Sequence, residues 1–265
     1  MAAFTHPAPQ SPVLGFGLFA DQAPTADALA AALLDEFETG VTVEAQTDRL
    51  GRPIQVVVVR TDDVVILVTP VGAPVPAQEV LRACHPLWWD DTDPVARHRA
   101  HVIIAATPPD GRPVDRAQAL MQASLFSVVA SIVMEQPGAT ALHYGNAGIT
   151  FPAERYSGLV VDALEGGEAP VDVWTSVWMG RNDDGTVTAW TLGLDTFGHA
   201  DLTVQGSPLE PEEVFERLVS LAAYIVTTGA VLLPGQSVGY SADQQLPVEA
   251  SGSQMHPNGA LRIVC

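Results

Sequence analysis

The sequence predicts an α+β fold of mostly antiparallel strands with covering helices, laid out as two βαβββα-like halves packed into one unit. Three observations predict it. Runs rich in β-branched residues are joined by hairpin-type turns, at 54–69 and again at 171–194. Ala- and Leu-rich stretches with start and stop residues lie between the strands. The same order of elements recurs on either side of an irregular segment, residues 84–101.

Residues 1–12, MAAFTHPAPQSP, read as a loose Pro-rich tail without the basic and apolar regions of a signal peptide. The first half is 13–83. It opens with a strand at 13–19, and Thr25 then caps a helix running to Glu38, where Gly40 stops it. Strands follow at 41–47, 54–60 and 64–69, and the Arg-Thr-Asp-Asp step makes the last two a hairpin. A short helix at 76–83 closes this half. The linking segment 84–101, CHPLWWDDTDPVARHRAH, is broken by Pro86 and Pro94.

The second half is 102–265. A strand at 102–106 leads to a long helix at 113–135, on which Ser124, Ser127 and Ser131 form a small-residue stripe permitting close approach to a sheet. A strand at 139–144 runs through Gly145-Asn146-Ala147-Gly148 into a helix at 152–164. Long strands at 171–181 and 186–194 flank Asn182-Asp183-Asp184-Gly185, a hairpin tip. A strand at 202–205 precedes a helix at 211–228, whose Glu212 and Glu213 suit its N-terminal dipole. Short strands fill the tail after Ser237.

Composition narrows the function. Hydrophobic residues make up 47% and charged residues 16%, so the chain can bury a core rather than stay disordered. The 12 basic residues, all arginine, stand against 31 acidic ones for a formal charge of −19. Such a surface repels phosphate backbones and anionic lipid, so neither nucleic acid nor membrane is an expected partner, and a basic protein is. With no lysine, Schiff-base and P-loop lysine chemistries are excluded. The bland reading of the missing lysine is genomic bias; a sharper one is escape from lysine-directed modification. Cys84 and Cys265 form no paired framework, which fits a reducing cytoplasm. The uncharged runs 117–134 and 218–242 carry enough polar residues, or glycine and proline, to read as buried helices rather than membrane spans.

Several groupings carry possible chemistry. Tyr144, Gly145, Asn146 and Gly148 sit at the junction of strand and loop. The loop amides suit an anion, but without lysine a tight turn with Asn146 in the left-handed region is the preferred reading. Trp88 and Trp89 can stack on a partner, one of the two facing the core in an extended chain. His85 lies beside them. His98 and His101 are three apart and share a face only if helical; the preferred reading has His98 capping and His101 entering a strand, with no metal and no cofactor. Gly235-Gln236-Ser237-Val238-Gly239 satisfies G-x-S-x-G, and Asp243 and His256 follow in triad order. Pro234 before it and a turn after it contradict a nucleophile elbow, and no catalytic residue is assigned.

AWTLGLDTFGHADLTV (189–204), then LVSLAAYIVTTGAVLLPGQSVGYSADQQLPV (218–248) and a closing LRIV, resemble the bacterial family called domain of unknown function 4261. LHYGNAG and the Trp-Trp segment extend the likeness more weakly back to residue 84. The resemblance implies a bacterial, cytoplasmic, compact α+β protein and carries no activity with it. The expectation is a non-enzymatic acidic protein-binding module, immunity-protein-like. The alternative is a small-molecule binder or enzyme with its pocket between the two halves, and homo-oligomers stay open.

Overall fold

Among the described residues seven strands form one sheet in the order Val41–Thr47, Pro53–Arg60, Val65–Val71, Ala100–Thr107, Val13–Phe19, Ala139–Tyr144, Ile149–Pro152, with the first strand of the chain at an inner position. The computed structural model describes residues 4–48, 50–239, 244–253 and 256–265, without the side chains of 253 and 256–258. The chain divides into two units, Ser11–Val173, and Trp174–Cys265 joined by the N-terminal residues through Gln10.

In the first unit β1 (Val13–Phe19) is followed by α1 (Ala26–Phe37), β2 (Val41–Thr47), β3 (Pro53–Arg60) and β4 (Val65–Val71). Two short helices, α2 (Ala77–Arg82) and α3 (Asp93–Ala96), precede β5 (Ala100–Thr107) and α4 (Arg116–Met134). Then come β6 (Ala139–Tyr144), β7 (Ile149–Pro152), α5 (Ala153–Glu165) and α6 (Val171–Trp174). Every neighbouring pair in this sheet is antiparallel.

The caps follow from sequence. Thr25 Oγ1 accepts from the Ala28 amide, and Asp115 and Gln118 close a reciprocal capping box on α4. α4 is long and apolar enough to cross a membrane by length and composition. Here it covers β1, β5 and β6, with Phe126, Val129, Ala130 and Val133 buried. Glycine makes that approach possible. A Cβ on Gly15 would lie 2.6 Å from the Phe126 ring and 3.0 Å from the His143 carbonyl, and one on Gly17 2.5 Å from Met134.

The second unit holds β8 (Ser176–Arg181), β9 (Val187–Leu192), β10 (Asp201–Ser207), α7 (Pro211–Thr228), β11 (Ser237–Val238), β12 (Leu246–Ser253) and β13 (His256–Ile263). Its sheet runs β11-β12-β13-β10-β9-β8, antiparallel except where β10 meets β13. α7 packs on β8, β9 and β10. Between β9 and β10 a short 3-10 turn, Leu194–Phe197, is bracketed by Gly193 and Gly198, both at positive φ.

The α+β class and the antiparallel sheets are as predicted, and α7 spans the predicted residues. Other expectations are corrected. The division falls after Val173 rather than at 84–101, because β5 and β6 are the two neighbours of β1 and share its sheet. The two βαβββα halves are therefore not repeated. The 84–101 segment is no linker: the Thr150 amide donates to the Ala83 carbonyl, and Cys84 bridges to Thr150.

Residues 149–152 are a strand, since Ile149, Thr150 and Phe151 are β-formers that close a hairpin on β6. Residues 171–174 form a helical turn after Pro170 instead of the start of a strand, and Trp174 is fully buried. From His6 to Gln10 the N-terminal segment is not loose. The Gln10 amide donates to the Thr196 carbonyl at 3.1 Å, Pro9 packs on Gly198, and His6 accepts from the Ala200 amide at 3.0 Å.

Gly15→Ala is expected to lose about 1–3 kcal/mol of stability in urea titration, because its methyl group meets an aromatic ring and a backbone carbonyl. Gly180→Ala, where nothing lies within 4 Å, serves as the control.

Candidate functional site

α7 begins with Pro211 in its first turn and ends at Gly229, whose left-handed conformation (φ 73°) returns the amide to the Ile225 carbonyl. The chain then doubles back beside the helix. At the next reversal the Gln236 amide donates to the Leu233 carbonyl and the Leu233 amide to Gln236 Oε1, while the Gly235 amide reaches the Val248 carbonyl of β12. His6 Nε2–H donates to the Leu232 carbonyl at 2.7 Å and so fixes the returning strand of chain from outside.

Between α7 and this return lies an open groove of about 760 Å³, walled by Leu221, Tyr224, Val231 and residues 235–239. Among the described residues, none that lines it is charged. Tyr224 is 52% exposed and Val231 56%, so the apolar wall faces water. Along α7, Glu213, Glu216, Ser220 and Tyr224 fall in one stripe at helical spacing, which leads from two carboxylates into the groove.

Sequence reasoning missed this wall. Its legible signal is Tyr224, an aromatic residue on the polar face of an amphipathic helix. Ser237 lies on the groove within the two-residue strand β11, not on a strand-to-helix elbow. Asp243 and the His256 side chain lie outside the described residues.

The predicted binding residues do not converge. Tyr144 is fully buried under α4, edge-on to Phe126 at 5.4 Å. Asn146 turns the other way: its Oδ1 accepts from the Leu14 amide at 2.8 Å and its Nδ2 donates to the Pro12 carbonyl, which clasps the start of β1. Gly148, at φ +56°, takes the left-handed position expected for Asn146, and the Gly145 amide donates to Leu14.

Both tryptophans are half-buried, not one inside and one out, because the Trp88 amide closes a turn onto His85. Trp89 Nε1–H donates to the Thr150 carbonyl at 2.7 Å, while Trp88 stacks under the Arg155 guanidinium, 4.9 Å away. His85 Nδ1 accepts from the Leu87 amide.

His98 links the Val95 carbonyl, at the end of α3, to the Val75 amide, and His101 in β5 donates to the Ala73 carbonyl. Among the described residues no group of three or more His, Cys, Asp or Glu is placed to hold a metal ion.

Two titratable groups stand out. His143 stacks on Phe16, and its Nδ1 is 2.9 Å from Thr150 Oγ1, which itself donates to the Val80 carbonyl. The imidazole is therefore the donor, and burial pushes its pKa from 6.5 down to about 4. In the second unit Asp201 accepts from Thr191 Oγ1 and the Leu194 amide, pinning the corner between β9 and β10. Burial, with Asp195 nearby, raises it to about 7. Burial also raises the Cys84 thiol to about 11, which makes it a poor nucleophile.

The geometry is that of an α+β protein carrying, on its smaller unit, a surface groove that is uncharged among the described residues. A family model described as a domain of unknown function (DUF4261) matches residues 190–264, which hold the pinned corner, α7 and the groove. The weaker likeness back to residue 84 falls outside that span. No curated protein and no solved structure matches the chain.

His143 binds its proton less readily folded than unfolded, so its contribution to stability is complete above pH 6.5 and is lost as pH falls toward 4. Hydrogen exchange of residues 139–152 is expected to report a loss of up to about 3 kcal/mol over that window, flattened in His143→Gln. Asp201 has the opposite sign: its contribution is full below pH 3.8 and is lost as pH rises through about 7. Asp201→Asn is expected to stabilise the second unit by about 1–3 kcal/mol at pH 8 and to change little at pH 4, as read by exchange in β9 and β10.

Proposed function

We propose that this protein is an acidic, non-enzymatic binding module whose partner is a basic protein, received at the groove beside α7. The observation that carries this reading is an exposed groove, uncharged among the described residues, fed by a stripe of carboxylates. The unit that bears it has ten acidic residues against three arginines. Each of those arginines already faces a carboxylate: Arg181 meets Glu210, Arg217 meets Glu213, and Arg262 meets Glu249. An incoming cation therefore meets no competing positive charge outside an ion pair among the described residues of this unit, and the long-range field of a chain at −19 draws it in. Apolar contact with Tyr224 and Val231 would supply the affinity that exposed ion pairs do not. A second reading, a small uncharged ligand in the same groove, is favoured by the volume alone.

Selection of a random twelve-residue peptide library on the immobilised protein is expected to enrich sequences combining Arg or Lys with aliphatic residues, released by about 0.5 M salt. Tyr224→Ala should lose them, and Glu213→Gln with Glu216→Gln should weaken them several-fold. Enrichment of acidic or uncharged sequences would overturn the basic-partner reading.

A further inference from the structure

Among the described residues β11 is the outermost strand of its sheet and is paired on one side. Val238 stands opposite Leu246 and Ser237 opposite Pro247. The Val248 amide donates to the Gln236 carbonyl at 2.9 Å, so the bonded positions of this ladder are those flanking Ser237. Alternation along an antiparallel pair turns the Ser237 N–H and C=O away from β12, toward the outer edge. Among the described residues neither group has a hydrogen-bond partner, and Ser237 is exposed.

That edge is one wall of the groove, with Ser220, Leu221 and Tyr224 opposite. An unpaired edge beside an apolar trough is what an added strand requires: backbone bonds on one side, pockets for alternate side chains on the other. Within the basic-partner reading, on which this rests, we propose that the partner docks as an extended segment, adding a strand to β11 through Ser237.

The two outward groups of Ser237 bond one residue of the segment. Its alternate aliphatic side chains fall against Tyr224 and Val231. Basic residues flank them, because Glu216 and Glu213 lie about 6 and 10 Å along α7 from Ser220. A helical ligand would leave the Ser237 groups unbonded and is disfavoured on that ground.

The test uses a capped seven-residue peptide, Lys-Thr-Val-Arg-Val-Thr-Lys, and two versions carrying N-methyl groups on its odd or on its even residues. Strand addition has one edge of the peptide bonded and the other free. One methylated version is therefore expected to lose about tenfold or more in affinity by calorimetry while the other keeps most of it. The Ser237 amide should gain protection from exchange with the parent peptide. Ser237→Pro, which removes an outward N–H the fold does not use, should weaken binding by about tenfold.

Equal tolerance of both methylated versions, or an unprotected Ser237 amide, overturns strand addition. If basic library peptides still bind in that case, the basic-partner reading stands. No binding of the parent peptide at about 5 mM also overturns strand addition. Tighter binding by a helix-forming basic peptide of equal charge would assign the groove to a helix instead.

Discussion

Backbone amides and carbonyls in the long irregular segments of this chain must be paired once buried, and side chains from distant positions do the pairing. Asn146 holds the start of β1. Trp89 and Thr150 tie the segment after β4 to the β7 edge, and His98 and His101 fasten the stretch between β4 and β5. In the second unit Asp201 caps the β9–β10 corner, and His6 joins the N-terminal segment both to Ala200 and to the groove wall at Leu232. Removing one such side chain leaves a buried polar group without a partner, at a cost of about 1–3 kcal/mol.

This constraint explains why the residues that looked functional in sequence are mostly structural. Histidine, tryptophan and asparagine are the types that recognise ligands, and they are also the types that can satisfy backbone groups in a loop crossing a sheet. In the 84–101 segment the second demand claims them. Trp88 differs, since its ring is covered by Arg155 and Phe151 instead of by a carbonyl. The groove presents the inverse situation: an edge where strand alternation leaves Ser237 turned outward, next to apolar side chains that no segment covers among the described residues. Interaction surfaces arise where pairing inside the fold stops.

Charge organises the same unit. Its arginines sit in exposed pairs that add little to stability but hold the positive charge beside carboxylates. The stripe Glu213, Glu216, Ser220, Tyr224 thus places two carboxylates and an aromatic ring on one helix face. Asp201 and His143 respond to acid in opposite senses, one in each unit, because one carries charge and the other loses it when deprotonated.

Local pattern sufficed for much of the secondary structure. The strand at Val13–Phe19, the Thr25 cap, the strand at Ala139–Tyr144 and the helix Pro211–Thr228 all follow from periodicity, capping and turn residues within a few positions of themselves. The sequence also settled the charge, the absence of lysine chemistry and the likeness of the last third to domain of unknown function 4261. Tertiary structure alone decided that β5 and β6 flank β1, that residues 4–10 belong with chain more than 180 positions away, and that Tyr144 faces a helix while Asn146 clasps a strand. Each of those outcomes depends on a partner remote in sequence. A single strand's alternation states that two faces exist, but only the sheet and its covering helix determine which face is buried and which is left to meet another molecule.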